Sequence, residues 1–360
     1  MTDPDDTLET LSGFEHEDIV ITRRVESGLR AIIAVHSTLL GPSLGGARFY
    51  PYADETLALH DVLRLSRAMT AKAALAGLAH GGGKAVIIGD PRLVKTPSLL
   101  RDYAAAVDRL QGRYITAEDV GTTQDDMDLI RETTPFVAGT SIAGGGSGDP
   151  SPATAVGVVV AMEAAAARRW GTGLEGRTVL VLGAGKVGGD VVRLLAQRGA
   201  AVIASDVDPR KVEDARHAGA VRTVDPCDAL VTPADILCPC ALGGILTHDV
   251  ARALAVEIIV GAANNQLATP EVAATIAARG ALYIPDFLAN AGGIINIAEE
   301  EKAGGYDRAR ALRAVDRIGE TTTAVLGRAD ARGITPVAAA EELVAERLRR
   351  ARDPIASKGP

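Results

Sequence analysis

The 360-residue chain predicts an α/β fold in two domains, and three observations carry that prediction. Short apolar runs that end in Gly, Asn or Asp alternate with stretches of helical spacing, the pattern of parallel strands linked by helices. A Gly/Pro/Ser-rich stretch at 143–154, AGGGSGDPSPAT, divides the chain and reads as a linker whose glycines suit a hinge. The length also suffices for two cores on the usual size prior.

From Asp18, DIVITRRVESGLRAIIAVHST reads as two strands joined by a turn at Glu26-Ser27-Gly28. GPSLGG (41–46) reads as a loop that brings backbone close to something, since glycine tolerates such conformations freely. Thr56 to Ala76 has helical spacing, with Leu57, Val62, Leu63, Leu65 and Met69 on one face and Lys72 at its end. Ala85–Ile88 is a buried strand stopped by Asp90-Pro91, and Pro97–Leu110 is a further helix. Tyr114-Ile115-Thr116 is a strand ending in Ala117-Glu118-Asp119. Of the two acids, one is expected to cap the helix that begins near Thr122 and the other to face a cleft.

The stretch Met69–Pro91 holds two lysines, Lys72 and Lys84, on either side of Gly81-Gly82-Gly83 and among Ala, Leu, Val and Ile. An ammonium in apolar surroundings either finds a partner or is pushed toward neutrality, and a lysine titrating near neutrality is what a general base needs. The plainer reading is a buried structural ion pair.

Beyond the linker, Thr154–Trp170 reads as a largely buried helix. Then TVLVLGAGKVGGDVVRLLAQRGAAVIASDVD places a strand, a GxGxxG turn (Gly183, Ala184, Gly185, Lys186, Val187, Gly188), an amphipathic helix and a second strand ending in Asp206. Glycine lets backbone approach a pyrophosphate at the helix's positive end, and an acid about 20 residues on can hold a ribose and repel a 2′-phosphate. NAD is therefore favoured over NADP, although Lys186 within the turn works the other way. Further strand ends follow at Cys240-Ala241, at Asn264-Asn265 and before Asn290, where an open parallel sheet forms its crevice. Arg308 to Arg352 reads as two helices around Gly333 and Pro336, with RLRRAR (347–352) a solvated helix end.

Composition excludes other classes. A formal charge of −8 argues against nucleic acid as the main partner. No apolar run has the length of a membrane span, and the acidic residues 1–14 read as a frayed leader without the order of a signal peptide, so cytoplasm is expected. Cys227, Cys238 and Cys240 make an odd count with no disulfide framework, and no four-ligand set accompanies Cys238-Pro239-Cys240, so no metal site is expected.

Over nearly its whole length the chain resembles the Glu/Leu/Phe/Val dehydrogenase family, and within it the valine and leucine branch, with phenylalanine dehydrogenase next. LAHGGGK running on to Asp90-Pro91, GPSLGGARFYPY, RYITAEDVGTT, SGDPSPATAVGV, GAANNQL and NAGGIIN stand in the family's order. The resemblance implies an N-terminal α/β substrate and oligomerisation domain at 1–145, a Rossmann-type NAD-binding domain at 150–325, a cleft between them, and C-terminal helices (about 325–360) packed back on the first domain.

It implies Lys84 as general base, Lys72 on the substrate carboxylate with Asn264 assisting, and Asp119 rather than Glu118 exchanging a proton with the amino group. Gly45 and Gly46 would let backbone approach substrate, and Leu44, Ala117, Ile294 and Ile297 would border its side chain. Thr154, the 183–188 turn, Asp206, Cys240, Ala241, Asn264 and Asn290 would border NAD.

The implied reaction is reversible NAD-dependent oxidative deamination of valine, leucine or isoleucine, since an apolar pocket leaves a γ-carboxylate unpaired and two isoleucines narrow it against a phenyl ring. The alternatives are a phenylalanine dehydrogenase and a non-catalytic NAD-binding regulator, and a homo-oligomer is expected.

Overall fold

A computed structural model gives the structure of residues 15–353, so the expected acidic leader lies outside the described residues. The described residues divide into two compact units: 15–149 with 297–307 and 346–353, and 150–296 with 308–345.

In the first unit a five-stranded sheet has the order β1-β2-β4-β3-β5, built from β1 (Asp18–Arg24), β2 (Leu29–Ser37), β3 (Ser43–Tyr50), β4 (Gly81–Ile88) and β5 (Tyr114–Glu118). β1, β2 and β4 pair antiparallel, whereas β3 runs parallel to both β4 and β5. Helix α1 (Glu55–Leu75) starts at Asp54, whose carboxylate accepts the Leu57 N–H. A four-residue turn of helix, α2 (Pro91–Val94), follows β4. Helices α3 (Pro97–Asp108) and α4 (Gln124–Arg131) complete the layers.

Strand alternation sorts the core. Ala47, Phe49, Ala85 and Ile87 pack with Leu99, Tyr103, Met127 and Ile130 of α3 and α4, while Ile32, Ala34, Val86 and Ile88 pack with Ala58, Leu59, Val62 and Leu63 of α1. Leu57, placed with that buried face by its spacing, is 52% exposed: the buried stripe runs through Ala58, Leu59, Val62 and Leu63 and leaves Leu57 off its edge.

GPSLGG is not a loop: Ser43 to Gly46 open β3, and Gly81-Gly82-Gly83 open β4. The glycines permit close packing of the chain against itself. A Cβ on Gly45 would lie 1.8 Å from the Gly83 carbonyl oxygen, and one on Gly82 would lie 2.1 Å from the Thr70 nitrogen of α1. Periodicity reads such residues as loop because it registers a missing side chain and not its cause.

The second unit holds an all-parallel sheet in the order β11-β10-β9-β6-β7-β8. Its strands are β6 (Thr178–Leu182), β7 (Ala201–Ser205), β8 (Arg222–Thr223), β9 (Ile236–Pro239), β10 (Ile258–Ile259) and β11 (Leu282–Tyr283). Counted from β6, this is the doubly wound order 3-2-1-4-5-6, whose switch point lies between β6 and β9. Around it run α5 (Ser151–Trp170), closed by Gly171 in the left-handed region, α6 (Lys186–Gln197), α7 (Pro209–His217) and the shorter α8 (Pro226–Ala229), α9 (His248–Ala253) and α10 (Val272–Ala278). The chain ends in α11 (Asp286–Ala289), α12 (Gly292–Ala298), α13 (Arg308–Arg332) and α14 (Pro336–Arg352), with α13 packed on α5.

The C-terminal helices do not return to the first unit as a block from about 325. Only residues from Glu346 belong there. There Arg347 is not solvated: its guanidinium donates to the carbonyls of Ala74, in the last turn of α1, and of Leu78 just beyond it, the latter at 2.7 Å. Among the described residues no helix is long and apolar enough to cross a membrane.

Candidate active site

Parallel register brings the first unit's polar groups to one face. Leu44 stands opposite Gly82, Gly46 opposite Ala117 and Arg48 opposite Val86. Since side chains alternate along a strand, Leu44, Gly46 and Arg48 of β3, Lys84 of β4, and Ala117 and Asp119 at the end of β5 share the face that α1 covers.

There Lys84 Nζ lies 2.6 Å from Asp119 Oδ2, the two side chains being 9% and 17% exposed. Arg48 Nε approaches the same oxygen at 3.5 Å, and the other carboxylate oxygen accepts the Val120 N–H at 2.7 Å. Burial alone would raise the Asp119 carboxyl, but Lys84 and Arg48 outweigh it and hold the group below the usual carboxylate range.

Arg48 is itself braced: its Nη1 donates to Asp61 Oδ2 at 2.9 Å, the Tyr52 hydroxyl donates to that oxygen at 2.6 Å, and Arg64 Nη2 donates to Asp61 Oδ1 at 2.9 Å. Burial would raise Asp61 too, yet the Tyr52 bond and the two guanidiniums hold it low.

Neither acid of Ala117-Glu118-Asp119 caps α4. Thr123 does, accepting the Asp126 N–H while the Asp126 carboxylate accepts the Thr123 N–H. Lys72 stands half-buried in the last turn of α1, eleven residues and about three turns after Asp61, hence on the same side of the helix. Gly45 and Gly46 have a structural cause in their neighbours: a Cβ on Gly46 would fall 2.5 Å from the Glu118 oxygen and 2.8 Å from Asp119 Cβ.

Leu44 and Ala117 are buried, as are Ile294 and Ile297, and the division into units falls between the two isoleucines. Sequence reasoning missed Arg48, Asp61 and Tyr52. The available signal was an arginine at strand period after Gly46 and one acid inside the apolar run LALHDVL of α1.

In the second unit the GxGxxG turn joins β6 to α6 at the switch point. Gly183 has φ +98°, and a Cβ there would meet Ala241 Cβ at 2.6 Å; on Gly188 it would meet the Gly183 oxygen at 1.9 Å. A Cβ on Gly185, the N-cap of α6, would meet nothing beyond its chain neighbours nearer than Lys211 Nζ at 3.9 Å, so the helix's positive end is approachable.

Both oxygens of Asp206 accept backbone N–H groups: Oδ2 from Ala184 (2.8 Å) and Oδ1 from Asp208 (2.9 Å). The carboxylate is thereby fixed beside the turn with lone pairs to spare. Lys186 is exposed and Val187 half-buried. Cys240 donates its N–H to Leu182 O at 2.7 Å, and its sulfur lies 3.6 Å from that of Cys238. Asn290 Nδ2 donates to Ala262 O and to Asn264 Oδ1, the latter at 2.7 Å. Thr154 donates to Pro150 O in the first turn of α5 and flanks Gly293. A glycine cradle, an approachable helix end and a fixed acid together fit a dinucleotide.

Comparison with known proteins gives the family. The family model described as Glu/Leu/Phe/Val dehydrogenase, dimerisation domain, matches residues 17–136, and that described as Glutamate/Leucine/Phenylalanine/Valine dehydrogenase matches 145–209 and 205–353. A valine dehydrogenase of Streptomyces albus is 46% identical over 357 residues, 97% of this chain and 97% of its own. A leucine dehydrogenase of Bacillus subtilis is 45% identical over 340 residues, 94% and 93% of the two chains. The crystal structure of L-tryptophan dehydrogenase from Nostoc punctiforme has 40% identity and a TM-score of 0.83, covering 96% of this chain and 99% of that one. The chain is an amino acid dehydrogenase of the glutamate/leucine/phenylalanine/valine dehydrogenase family.

Proposed function

We propose that this enzyme catalyses the reversible NAD-dependent oxidative deamination of branched-chain L-amino acids. Amino acid, NAD⁺ and water give the 2-oxo acid, ammonium, NADH and a proton. The observation that carries the reading is the buried Lys84–Asp119 pair at 2.6 Å, a base and a proton partner on one sheet face.

NAD, when bound, supplies the acceptor for the α-hydrogen, taken as hydride. Lys72 holds the substrate carboxylate. Lys84, in its neutral form, takes a proton from the water that attacks the imine carbon, and Asp119 exchanges a proton with the amino nitrogen as carbinolamine collapses to oxo acid and ammonia. The 183–188 turn receives the pyrophosphate, and Asp206, held by two backbone N–H groups, takes the ribose hydroxyls and repels a 2′-phosphate. Thr154, Cys240, Ala241, Asn264 and Asn290 complete the NAD set.

Leu44, Ala117, Ile294 and Ile297, which the family resemblance assigns to the substrate side chain, are each buried and carry no hydrogen-bonding group, which disfavours glutamate and suits aliphatic side chains. The names of the valine and leucine dehydrogenases support the same choice. The match of residues 17–136 to a dimerisation domain supports a homo-oligomer through the first unit.

The test is NADH formation over a panel of L-amino acids at alkaline pH. Valine, leucine and isoleucine should lead, and phenylalanine turned over tenfold faster than any of them would overturn the assignment. Lys84→Ala should keep NAD binding and lose turnover.

A further inference from the structure

A base that works beside a buried carboxylate raises a problem of charge. When Lys84 is neutral, the Asp119 carboxylate loses its nearest cation, at 2.6 Å. One backbone N–H, from Val120, is poor compensation for a buried anion. Such a carboxylate would draw the proton back and keep the lysine from acting.

Arg48 answers this. Its Nε lies 3.5 Å from the same Asp119 oxygen, and a guanidinium does not surrender its proton. We propose that Arg48 is a positioning residue for the reaction: its guanidinium, braced by Asp61, keeps Asp119 ionised and in place through the part of the cycle in which Lys84 carries no charge. This rests on Lys84 being the base, as proposed above.

The surroundings support the assignment. Arg48 of β3 and the Val120 N–H reach the carboxylate of the pair; behind Arg48 stand Asp61 and Arg64 of α1 and Tyr52 of the segment after β3, while Tyr114 of β5 lies on the other face of the sheet. Lys72 lies further along α1. Burial pushes the Tyr114 phenol well above its ordinary range, so it stays protonated.

With Lys84 charged, Lys84, Arg48 and Arg64 stand against Asp119 and Asp61, three cations to two anions. With Lys84 neutral the remaining four groups balance. Arg48 makes its shorter bond to Asp61, at 2.9 Å, and Tyr52 and Arg64 occupy the rest of that carboxylate. The guanidinium is therefore fixed from behind and presents Nε forward to Asp119.

The experiment is the pH profile of kcat/KM for amino acid oxidation in the full-length enzyme and in Arg48→Gln, Arg48→Lys, Asp61→Asn and Lys84→Ala, with NAD binding measured on each as a check of folding. Arg48→Gln should bind NAD, lose about 10–100-fold in kcat, and shift the ascending limb to higher pH by about one unit or more, the usual effect of one charge at this range. Arg48→Lys should restore most of the activity and bring the limb back toward the parent, while Asp61→Asn, which keeps the charge but loosens its anchor, should fall between.

An Arg48→Gln enzyme that binds NAD with an unmoved limb overturns the proposal, as does an Arg48→Lys enzyme as defective as Arg48→Gln. Should Arg48→Gln fail to bind NAD, the Asp61→Asn profile decides, a parental limb there counting against the role. Turnover by Lys84→Ala would overturn the base assignment itself, whereas an inactive Lys84→Ala beside an unmoved Arg48→Gln limb removes only the role of Arg48.

Discussion

Replacing Gly45 by Ala would put a methyl carbon 1.8 Å from the Gly83 oxygen and 2.8 Å from the Gly83 carbonyl carbon, whereas real Cβ atoms essentially never come within 3.0 Å of another heavy atom. The obstacle is backbone of β4 and cannot rotate away, so β3 and β4 must part by more than an ångström in a buried part of the sheet. Overpacking a core costs about 1–3 kcal/mol, and a clash of backbone with methyl belongs at the upper end, about 3 kcal/mol. That is a large share of a total stability of about 5–15 kcal/mol, and at about 2–4 °C per kcal/mol it lowers the melting temperature by about 6–12 °C.

The control is Gly327→Ala in α13, where φ is not positive, nothing lies within 4 Å and the residue is exposed; it should stabilise by about 0.5–1 kcal/mol. Thermal melts of the three proteins, with KM for the amino acid measured on each, separate the two uses of the glycine. If Gly45→Ala melted within about 2 °C of the parent while KM rose tenfold, the glycine would serve approach of substrate, and the strand-packing argument would fail.

Lys95→Met removes the donor that bonds Asp126 Oδ2 at 2.6 Å and leaves a buried capping carboxylate short of a partner; a loss of about 1–3 kcal/mol is expected in a urea titration. Asp206→Ala should weaken NAD about tenfold and narrow the preference over NADP, read by fluorescence titration with both nucleotides. Burial, with His16 and Arg67 adding, holds the His36 imidazole down to about 4 from 6.5. The folded state therefore resists a proton that the unfolded chain accepts, so stability is full above pH 6.5 and declines as pH falls toward 4. His36→Gln should flatten that part of a stability–pH curve.

The features read most directly from sequence were those whose cause is local. The second unit announces itself because strand, GxGxxG turn, helix and Asp206 follow one another within a short stretch, and each residue type has one demand to meet. Lys72 and Lys84 stood out because their neighbours are apolar. What escaped was set by register between distant segments.

Arg48 is 71 positions from Asp119 in sequence and meets it only because β3 lies beside β5 in parallel. Asp61 sits in α1 and looked like one polar residue on an amphipathic helix. The two acids at the end of β5 could not be told apart, since each can cap a helix or face a site; Thr123 took the cap through a capping box with Asp126. Of RLRRAR, Arg349, Arg350 and Arg352 are exposed as read; Arg347 departs because composition cannot see that the carbonyls of Ala74 and Leu78 lie within its reach.

The two readings of the paired lysines, structural ion pair or catalytic base, meet in one geometry. Lys84 and Asp119 do form a buried pair, and as a stability device that pair is a poor choice. Taking two charges out of water costs several kcal/mol each, and well-packed apolar residues of similar volume often serve as well or better. The strands around it show that the chain can fill this layer with Val86, Ile88, Ile32 and Ala34.

A second cation near the same oxygen, Arg48 at 3.5 Å, adds a further buried charge to a layer that apolar side chains could fill. The arrangement makes sense when one member must give up its charge and regain it. On the proposed reading, Asp119 needs a second cation in the interval when Lys84 is neutral, and Arg48 at 3.5 Å, held by its shorter bond to Asp61, stands near enough to serve in that interval.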